Sequence, residues 1–210
     1  MPYPVSIAVV PQTTGRNRLT TAFRLILALP HIVLVGGVAG GLWSASSHSI
    51  LSIGGSTGVL GAVVTVLAIV SWLTIVLSGE HVPGIREITM LVLRWRARVM
   101  AYIMLLVDDY PPFGDGPYPV TLAIVDPPPD RRNRLTVGLR LLLVIPQLIA
   151  LFFVQCFWWI LTIVAWFTIL VTGQYPQTLM PLAIGALRWS MRVEAYLLLL
   201  VDEYPPFSFE

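Results

Sequence analysis

The sequence predicts an all-α integral membrane protein made of two parallel repeats, each with a short strand, a transmembrane helical hairpin and an interfacial amphipathic helix. Hydrophobic residues make up 56% of the 210 residues and charged residues 11%, whereas about 25% of a typical soluble domain is charged. A chain of this size cannot bury so much apolar surface within itself, so lipid is expected to cover the remainder. The other two observations are an internal repeat and a set of apolar stretches of membrane-spanning length.

The second half of the chain repeats the motifs of the first half in the same order. These motifs are YPV, at Tyr3 and Tyr118; RNRLT, at Arg16 and Arg132; and a longer segment that reads LRWRARVMAYIMLLVDDYPPF from Leu93 and LRWSMRVEAYLLLLVDEYPPF from Leu187. A turn at residues 114–117 separates the two copies, so we predict a first unit over residues 1–114 and a second over residues 115–210. The first unit is longer because it contains a Gly/Ser-rich insertion at about residues 36–58.

A short strand is predicted at the start of each unit. Apolar side chains alternate there with small or polar ones, and this period of two is typical of a half-buried strand. The positions expected on the buried side are Tyr3, Val5, Ile7 and Val9 in the first unit and Tyr118, Val120, Leu122 and Ile124 in the second.

Long apolar stretches follow the strands. In the first unit, residues 19–43 and 58–77 are each long enough to cross a bilayer, since about 20 helical residues cover a hydrocarbon core of about 30 Å. Residues 137–172 of the second unit are too long for one crossing. We predict a hairpin there that turns near Gln155, with Trp158 and Trp159 at the far interface. A re-entrant hairpin that does not fully cross is the alternative.

Each unit ends in a helix that carries arginines within an apolar sequence. Two central arginines would cost a membrane-spanning helix roughly 2.5–3.5 kcal/mol each, so a helix at the interface is predicted rather than a third span. Two further arginines, Arg24 and Arg140, lie within the first apolar stretch of their units. They either extend to the interface or form a cation inside the membrane that is paired with an acid or holds a lipid phosphate. The residues expected at lipid headgroups or at the interface are Arg24, Arg94, Arg98, Arg140, Arg188, Arg192, Trp95 and Trp189.

The distribution of arginines predicts the orientation of the chain. Arginines flank the apolar stretches on one side, whereas the loops at the other end carry no charge apart from a possible His48. By the positive-inside rule, both termini then face the cytoplasm of a bacterial cytoplasmic membrane. Two units of the same orientation are expected to form parallel repeats about an axis along the membrane normal, and their strands could pair across it as a small ribbon.

The repeated motifs resemble a family of bacterial membrane proteins known as a domain of unknown function, number 4389. The resemblance rests on the initial YPV, on the RW…RV…AY…LL…D…YPPF ending, and on WFTILVTGQYP at residues 166–176. The second unit is similar over nearly its whole length. The first departs in its insertion and in LSGEHVP, which replaces the usual TG-x-YP phrase. The resemblance implies a fold and a membrane location, and it contributes no catalytic residues.

No catalytic, cofactor-binding or metal-binding residues are predicted. His31 has Gln147 as its counterpart in the second unit and no second ligand at metal-binding spacing, so a lone hydrogen-bonded histidine is favoured over a ligand. The glycines of the insertion lack the sequence of a phosphate-binding loop and favour close helix packing. The residues expected to contact a partner are Gly36, Gly37, Gly40, Gly41 and Trp43.

We therefore expect a non-catalytic scaffold or accessory subunit of a larger membrane protein complex. Its expected partners are membrane lipids, anionic ones above all, and other membrane subunits, with no nucleic acid. The alternative is a protein that binds or transports phospholipid or a hydrophobic small molecule. An enzyme is the third hypothesis, and a bound metal or cofactor absorbance in the purified protein would favour it.

Overall fold

A computed structural model describes residues 3–36, 58–79, 82–125 and 134–210, and within these ranges the chain is mostly helical, with seven helices and one pair of short strands. In chain order the elements are β1 (Val5–Val9), α1 (Arg18–Ala22), α2 (Arg24–Val35), α3 (Val59–Ser78), α4 (Pro83–Ile103), β2 (Val120–Ile124), α5 (Arg134–Gly138), α6 (Arg140–Thr172) and α7 (Met180–Leu197). In the described part of the chain, α3 and α6 are the helices long and apolar enough to cross a membrane.

The two strands confirm the alternating pattern of the sequence. β1 and β2 pair antiparallel, with Ile7 opposite Leu122 at the centre of the register. Val5, Ile7 and Leu122 are buried, whereas Ser6 and the other intervening residues are exposed. The ribbon therefore has one face on the core and one outer face, as a half-buried antiparallel pair does.

α6 shows that the predicted hairpin of the second unit is wrong. It runs without interruption for 33 residues, about 50 Å at 1.5 Å per residue, and Gln155, the expected turn, lies within it. Trp158, expected at the far interface, is fully buried. The physical reason is that no Gly or Pro occurs between Gln147 and Thr172, and a single Gln does not end a helix.

α2 and α3 of the first unit together correspond to α6. The repeated motifs align α2 with the first part of α6 and α3 with the rest, and the insertion falls between them. Gly36, where α2 ends, lies against Gly58, where α3 begins. A Cβ on Gly58 would collide with the backbone of Gly36 and with the carbonyl oxygen of Leu34, so only glycine fits at position 58.

α4 and α7 lie largely inside the protein. In α4 the residues from Val92 to Ile103 are buried apart from the half-exposed Arg94, and α7 is buried over most of its length. Most apolar side chains of these two helices are thus covered by other parts of the chain. The interfacial position of the two helices stays a prediction.

The two units contact each other reciprocally. The short helix of each unit, α1 or α5, packs on the long helical part of the other, and matched side chains make the same contacts in both places. The pairs are Trp166 Nε1 with the Thr21 carbonyl (3.0 Å) and Trp72 Nε1 with the Val137 carbonyl (2.9 Å), together with Arg18 beside Gly173 and Arg134 beside Gly79. α2 therefore begins close to the end of α6, and α6 begins close to the end of α3.

The segment that contains β1 extends along α6. Before the strand, the Tyr3 hydroxyl donates to the carbonyl oxygen of Glu203 (3.0 Å). The neighbouring residue, Asp202, binds Arg140 at the start of α6. After the strand, the carbonyl oxygen of Thr13 accepts from the N–H of Tyr175 (2.9 Å), just beyond the end of α6. Because these contacts lie at opposite ends of a continuous helix, the ribbon and α6 extend in the same direction.

Candidate functional site: arginines on the helix ends

Arg24, the first residue of α2, binds the C-terminal end of α4. Its Nη1 donates to the carbonyl oxygens of Tyr102 (3.0 Å) and Val107 (2.8 Å), and its Nη2 donates to Asp108 Oδ1 (2.6 Å). The guanidinium carbon lies 4.4 Å from the centre of the Tyr102 ring. Arg24 is therefore a buried cation whose charge and terminal nitrogens are met by protein groups.

Arg140 makes three of these four contacts in the second unit. Its Nη1 donates to the carbonyl oxygen of Tyr196 (2.8 Å), its Nη2 donates to Asp202 (2.9 Å), and its guanidinium lies 4.3 Å from the centre of the Tyr196 ring. Of the roles considered for Arg24 and Arg140, pairing with an acid is the one that the structure shows. Neither residue reaches the molecular surface, since each is 2% exposed.

The backbone after α4 and α7 presents its carbonyl groups to these arginines. Leu105 (φ 63°) and Leu199 (φ 62°) adopt the left-handed conformation that normally favours glycine. The helices consequently end at Ile103 and Leu197, several residues before Asp108 and Asp202. Within this turn the N–H of Leu105 bonds to the Tyr102 carbonyl oxygen, and that of Leu199 to the Tyr196 carbonyl oxygen (3.1 Å each). Arg24 and Arg140 are the second donors to these two oxygens.

A second arginine neutralises Asp108. Arg16 Nη1 donates to Asp108 Oδ1, and the backbone N–H of Asn17 donates to Asp108 Oδ2 (3.1 Å). Burial opposes ionisation of this carboxyl, but Arg16, the N–H of Asn17 and Arg24 outweigh it and hold the pKa of Asp108 below its ordinary value of 3.8. The first residues of the chain are thereby fastened to the end of the first unit.

His31 and its counterpart Gln147 serve as acceptors for buried tryptophans. Trp95 Nε1 donates to His31 Nδ1 (3.1 Å), and Trp189 Nε1 donates to Gln147 Oε1 (2.8 Å). The His31 ring also stacks on Phe113, with 4.3 Å between ring centres. These contacts place both tryptophans in the protein interior, and they explain how a histidine and a glutamine occupy equivalent positions.

One buried ion pair between the units escaped the sequence analysis. Arg96 Nε donates to Glu194 Oε2 (2.9 Å), and Arg96 Nη1 donates to the carbonyl oxygen of Val35 (2.8 Å). Burial raises the pKa of Glu194, and Arg96 opposes that rise. The signal was present in the repeat, because Arg96 stands opposite Ser190 and Glu194 opposite Met100. An unmatched cation and an unmatched anion in otherwise similar units indicate a pair between them.

The other arginines of α4 and α7 differ in their contacts. In the first unit, Arg98 donates to Asp115 Oδ1 (2.8 Å), and Arg94 approaches Asp115 Oδ2 (3.6 Å). In the second unit, Arg188 donates to the carbonyl oxygen of Phe209 (2.9 Å). Contact of these residues with lipid headgroups stays a prediction.

Most of the predicted partner-contact surface lies outside the described residues. Gly37, Gly40, Gly41 and Trp43, four of the five residues expected to contact a partner, belong to this part of the chain, and Gly36 is described as the end of α2. In the part of the chain that the structure describes, no group of three or more His, Cys, Asp and Glu side chains is placed to hold a metal ion.

The contacts above define a class of apolar helical protein in which each of two similar units is closed by a buried arginine on a helix end. The chain belongs to the family described as domain of unknown function (DUF4389), which matches residues 48–114 and again residues 134–208. The suspected family and its presence as two tandem units are thus confirmed. No curated protein and no solved structure matches the chain.

Proposed function

We propose that this protein is a non-catalytic membrane scaffold or accessory subunit, embedded in the bacterial cytoplasmic membrane and organised as two parallel repeats with both termini on the cytoplasmic side. One observation carries the proposal, the exposed apolar surface of the long helices. α6 has no charged residue after Arg140. Its outward side chains include Leu142, Phe153 and Val164, which are 64%, 66% and 46% exposed. Exposed apolar surface of this extent marks contact with a membrane or with other proteins.

The ribbon supports an arrangement in which α6 lies along the membrane surface. A two-stranded ribbon has open edges whose N–H and C=O groups require water, so it is not stable in contact with lipid. Because the ribbon extends in the same direction as α6, an α6 that crossed the bilayer would carry the ribbon into the hydrocarbon. We therefore propose that the long helices rest in one leaflet with the ribbon in the cytoplasm. This arrangement is closer to the re-entrant alternative than to a spanning hairpin.

The arginines support a scaffold rather than a catalyst. Arg24 and Arg140 are bound by carbonyl oxygens and carboxylates of the chain itself, which uses their charge to join helices. Internal contacts of these two buried charges hold the helices in a defined arrangement, which the protein would present to partners beside the membrane.

Membrane attachment can be tested with a face-reversed variant, in which three residues on the exposed apolar face of α6 are replaced by acidic ones. The variant Leu142→Glu/Phe153→Glu/Val164→Glu is expected to shift the protein from the membrane pellet to the alkaline carbonate supernatant, because charged side chains are costly in lipid. The matched control Ser6→Glu/Thr121→Glu alters exposed positions of the ribbon and is expected to leave the protein in the pellet. Equal behaviour of the two variants would contradict the proposal.

The scaffold role requires a partner in the native membrane. Chemical crosslinking before extraction in mild detergent, followed by mass spectrometry, is expected to give one recurrent set of crosslinked membrane proteins. The face-reversed variant provides the control, since it should lose these crosslinks together with its membrane location. Recovery of the protein alone, with crosslinks confined to its own chain, would refute the role.

A second candidate function is binding of phospholipid or a hydrophobic small molecule. A groove of about 710 Å³ lies beside α7, and its lining includes Met180, Leu182, Ile184 and Phe209, with Arg188 among the lining residues. A largely apolar groove whose lining also contains Arg188 and Glu210 fits an acyl chain and a headgroup that carries both charges. Native mass spectrometry of the extracted protein should then show retained phospholipid, and a consistently lipid-free protein would exclude this candidate.

A further inference from the structure

The two units differ in how they neutralise a pair of arginines one helical turn apart. In the first unit, Arg94 and Arg98 share the carboxylate of Asp115, one oxygen facing each arginine. Arg188 and Arg192 occupy the equivalent positions in the second unit, and the residue equivalent to Asp115 is Phe209. Residues four apart on a helix lie on the same face, so the second unit has the same two cations without the built-in anion.

Arg192 is left without hydrogen-bond partners at two of its nitrogen atoms. It is 8% exposed, and its Nε and Nη1 atoms are buried without a partner among the described residues. Its guanidinium carbon lies 5.4 Å from the centre of the Tyr3 ring. An arginine stays charged under such conditions, and an uncompensated buried cation is strongly destabilising.

The surroundings of Arg192 contain a further cation and no paired acid. Arg188, which lies close enough to lower the pKa of Arg192 beyond the effect of burial, donates to the carbonyl oxygen of Phe209. Glu210 lines the adjoining groove, but among the described residues no carboxylate forms an ion pair with Arg188 or Arg192. Two positive charges thus converge where the first unit holds an anion.

We propose that Arg188 and Arg192 bind a phosphate group in the place that Asp115 occupies in the first unit. Guanidinium groups bind phosphate through paired N–H···O bonds, and two of them match the charge of a phosphate better than that of a single carboxylate. Tyr3 forms one wall of the site beneath Arg192. Inorganic phosphate and the headgroup phosphate of a lipid share this chemistry, and the adjoining apolar groove accommodates an acyl chain. The lipid source rests on the proposed membrane location, and the inorganic source does not.

The repeat provides matched variants for the test. Inorganic phosphate is titrated into the purified full-length protein in a neutral detergent, at constant ionic strength, and binding is followed by calorimetry. The native chain is expected to bind one phosphate. Arg192→Gln is expected to weaken binding at least tenfold, whereas Arg98→Gln, whose guanidinium already faces Asp115, is expected to leave the affinity unchanged. Equal affinity of native chain and Arg192→Gln overturns the proposal, and so does absence of saturable binding when Arg192→Gln also releases no phospholipid.

Two reciprocal exchanges make the test independent of any one variant. Phe209→Asp introduces the anion of the first unit and is expected to abolish phosphate binding. Asp115→Asn removes that anion and is expected to raise the number of bound phosphates from one to two. If Phe209→Asp does not fold, the Asp115→Asn result decides, and an unchanged stoichiometry counts against the proposal.

Native mass spectrometry distinguishes the two sources of phosphate. Protein extracted from the membrane is expected to retain phospholipid that Arg192→Gln releases if the ligand is a lipid headgroup. If the native chain and Arg192→Gln retain lipid equally while calorimetry shows phosphate binding, the site takes free phosphate. Failure of both measurements refutes the site and leaves membrane attachment, tested by the face-reversed variant, unaffected.

Discussion

Replacing Glu194 by Met, the residue at the equivalent position of the first unit, is expected to lower the free energy of unfolding by about 3–5 kcal/mol. Arg96 and Glu194 are 4% and 7% exposed and 2.9 Å apart. Removing the carboxylate leaves the Arg96 guanidinium buried without its counter-charge, and this uncompensated charge accounts for most of the loss.

The double variant Arg96→Ser/Glu194→Met is expected to recover most of that stability. It gives both units the same residues at these positions and removes the cation together with the anion, and such replacements of buried pairs are often neutral. The carbonyl oxygen of Val35 loses a donor, so a residual loss of about 1 kcal/mol remains. Urea titration in detergent micelles, followed by tryptophan fluorescence, measures all three free energies of unfolding. A double variant as unstable as Glu194→Met alone would refute the reasoning.

The remaining predictions concern a glycine and an acid. Gly58→Ala is expected to lower the thermal midpoint of unfolding because its methyl group meets the Leu34 carbonyl. Gly84→Ala, which has open space around it, is the control and should leave the midpoint unchanged. Equal midpoints of the two variants would show that the contact between α2 and α3 tolerates a side chain. Asp108 has a lowered pKa, so the stability it contributes is present above pH 3.8 and is lost as the pH falls through its folded pKa. Asp108→Asn should therefore be less stable at pH 7 and show a smaller loss at low pH, as measured by unfolding at several pH values. A parallel pH dependence would contradict the role of Arg16.

The features that could be predicted from the sequence depend on local patterns. The alternation of apolar and polar side chains around Ile7 and Leu122 identified both strands and their buried faces, because this pattern depends only on neighbouring residues. The repeated motifs identified the family, which the two matched segments confirm. Membrane location and repeat geometry stay predictions that the exposed apolar helices support.

The features that could not be predicted depend on contacts between distant segments. An apolar stretch of 36 residues is compatible with a hairpin or with one long helix, since hydrophobicity alone does not show whether lipid or protein covers each side. The acid partner of Arg24, Asp108, is 84 residues away, and local spacing gives no indication of such a pair. The burial of Trp95 likewise follows from its packing on α2, where His31 accepts its hydrogen bond.

The orientation of α6 tests the central claim most directly. Spin labels are attached to cysteines at Leu142, Phe153 and Val164 in a Cys156→Ser background, and their depths in a bilayer are measured from relaxation by oxygen and by a water-soluble nickel complex. These exposed positions lie on one face and extend about 33 Å along the helix axis, at 1.5 Å per residue. The account predicts similar depths for all three labels within one leaflet. Labels at Leu142 and Val164 on opposite sides of the bilayer centre would contradict it.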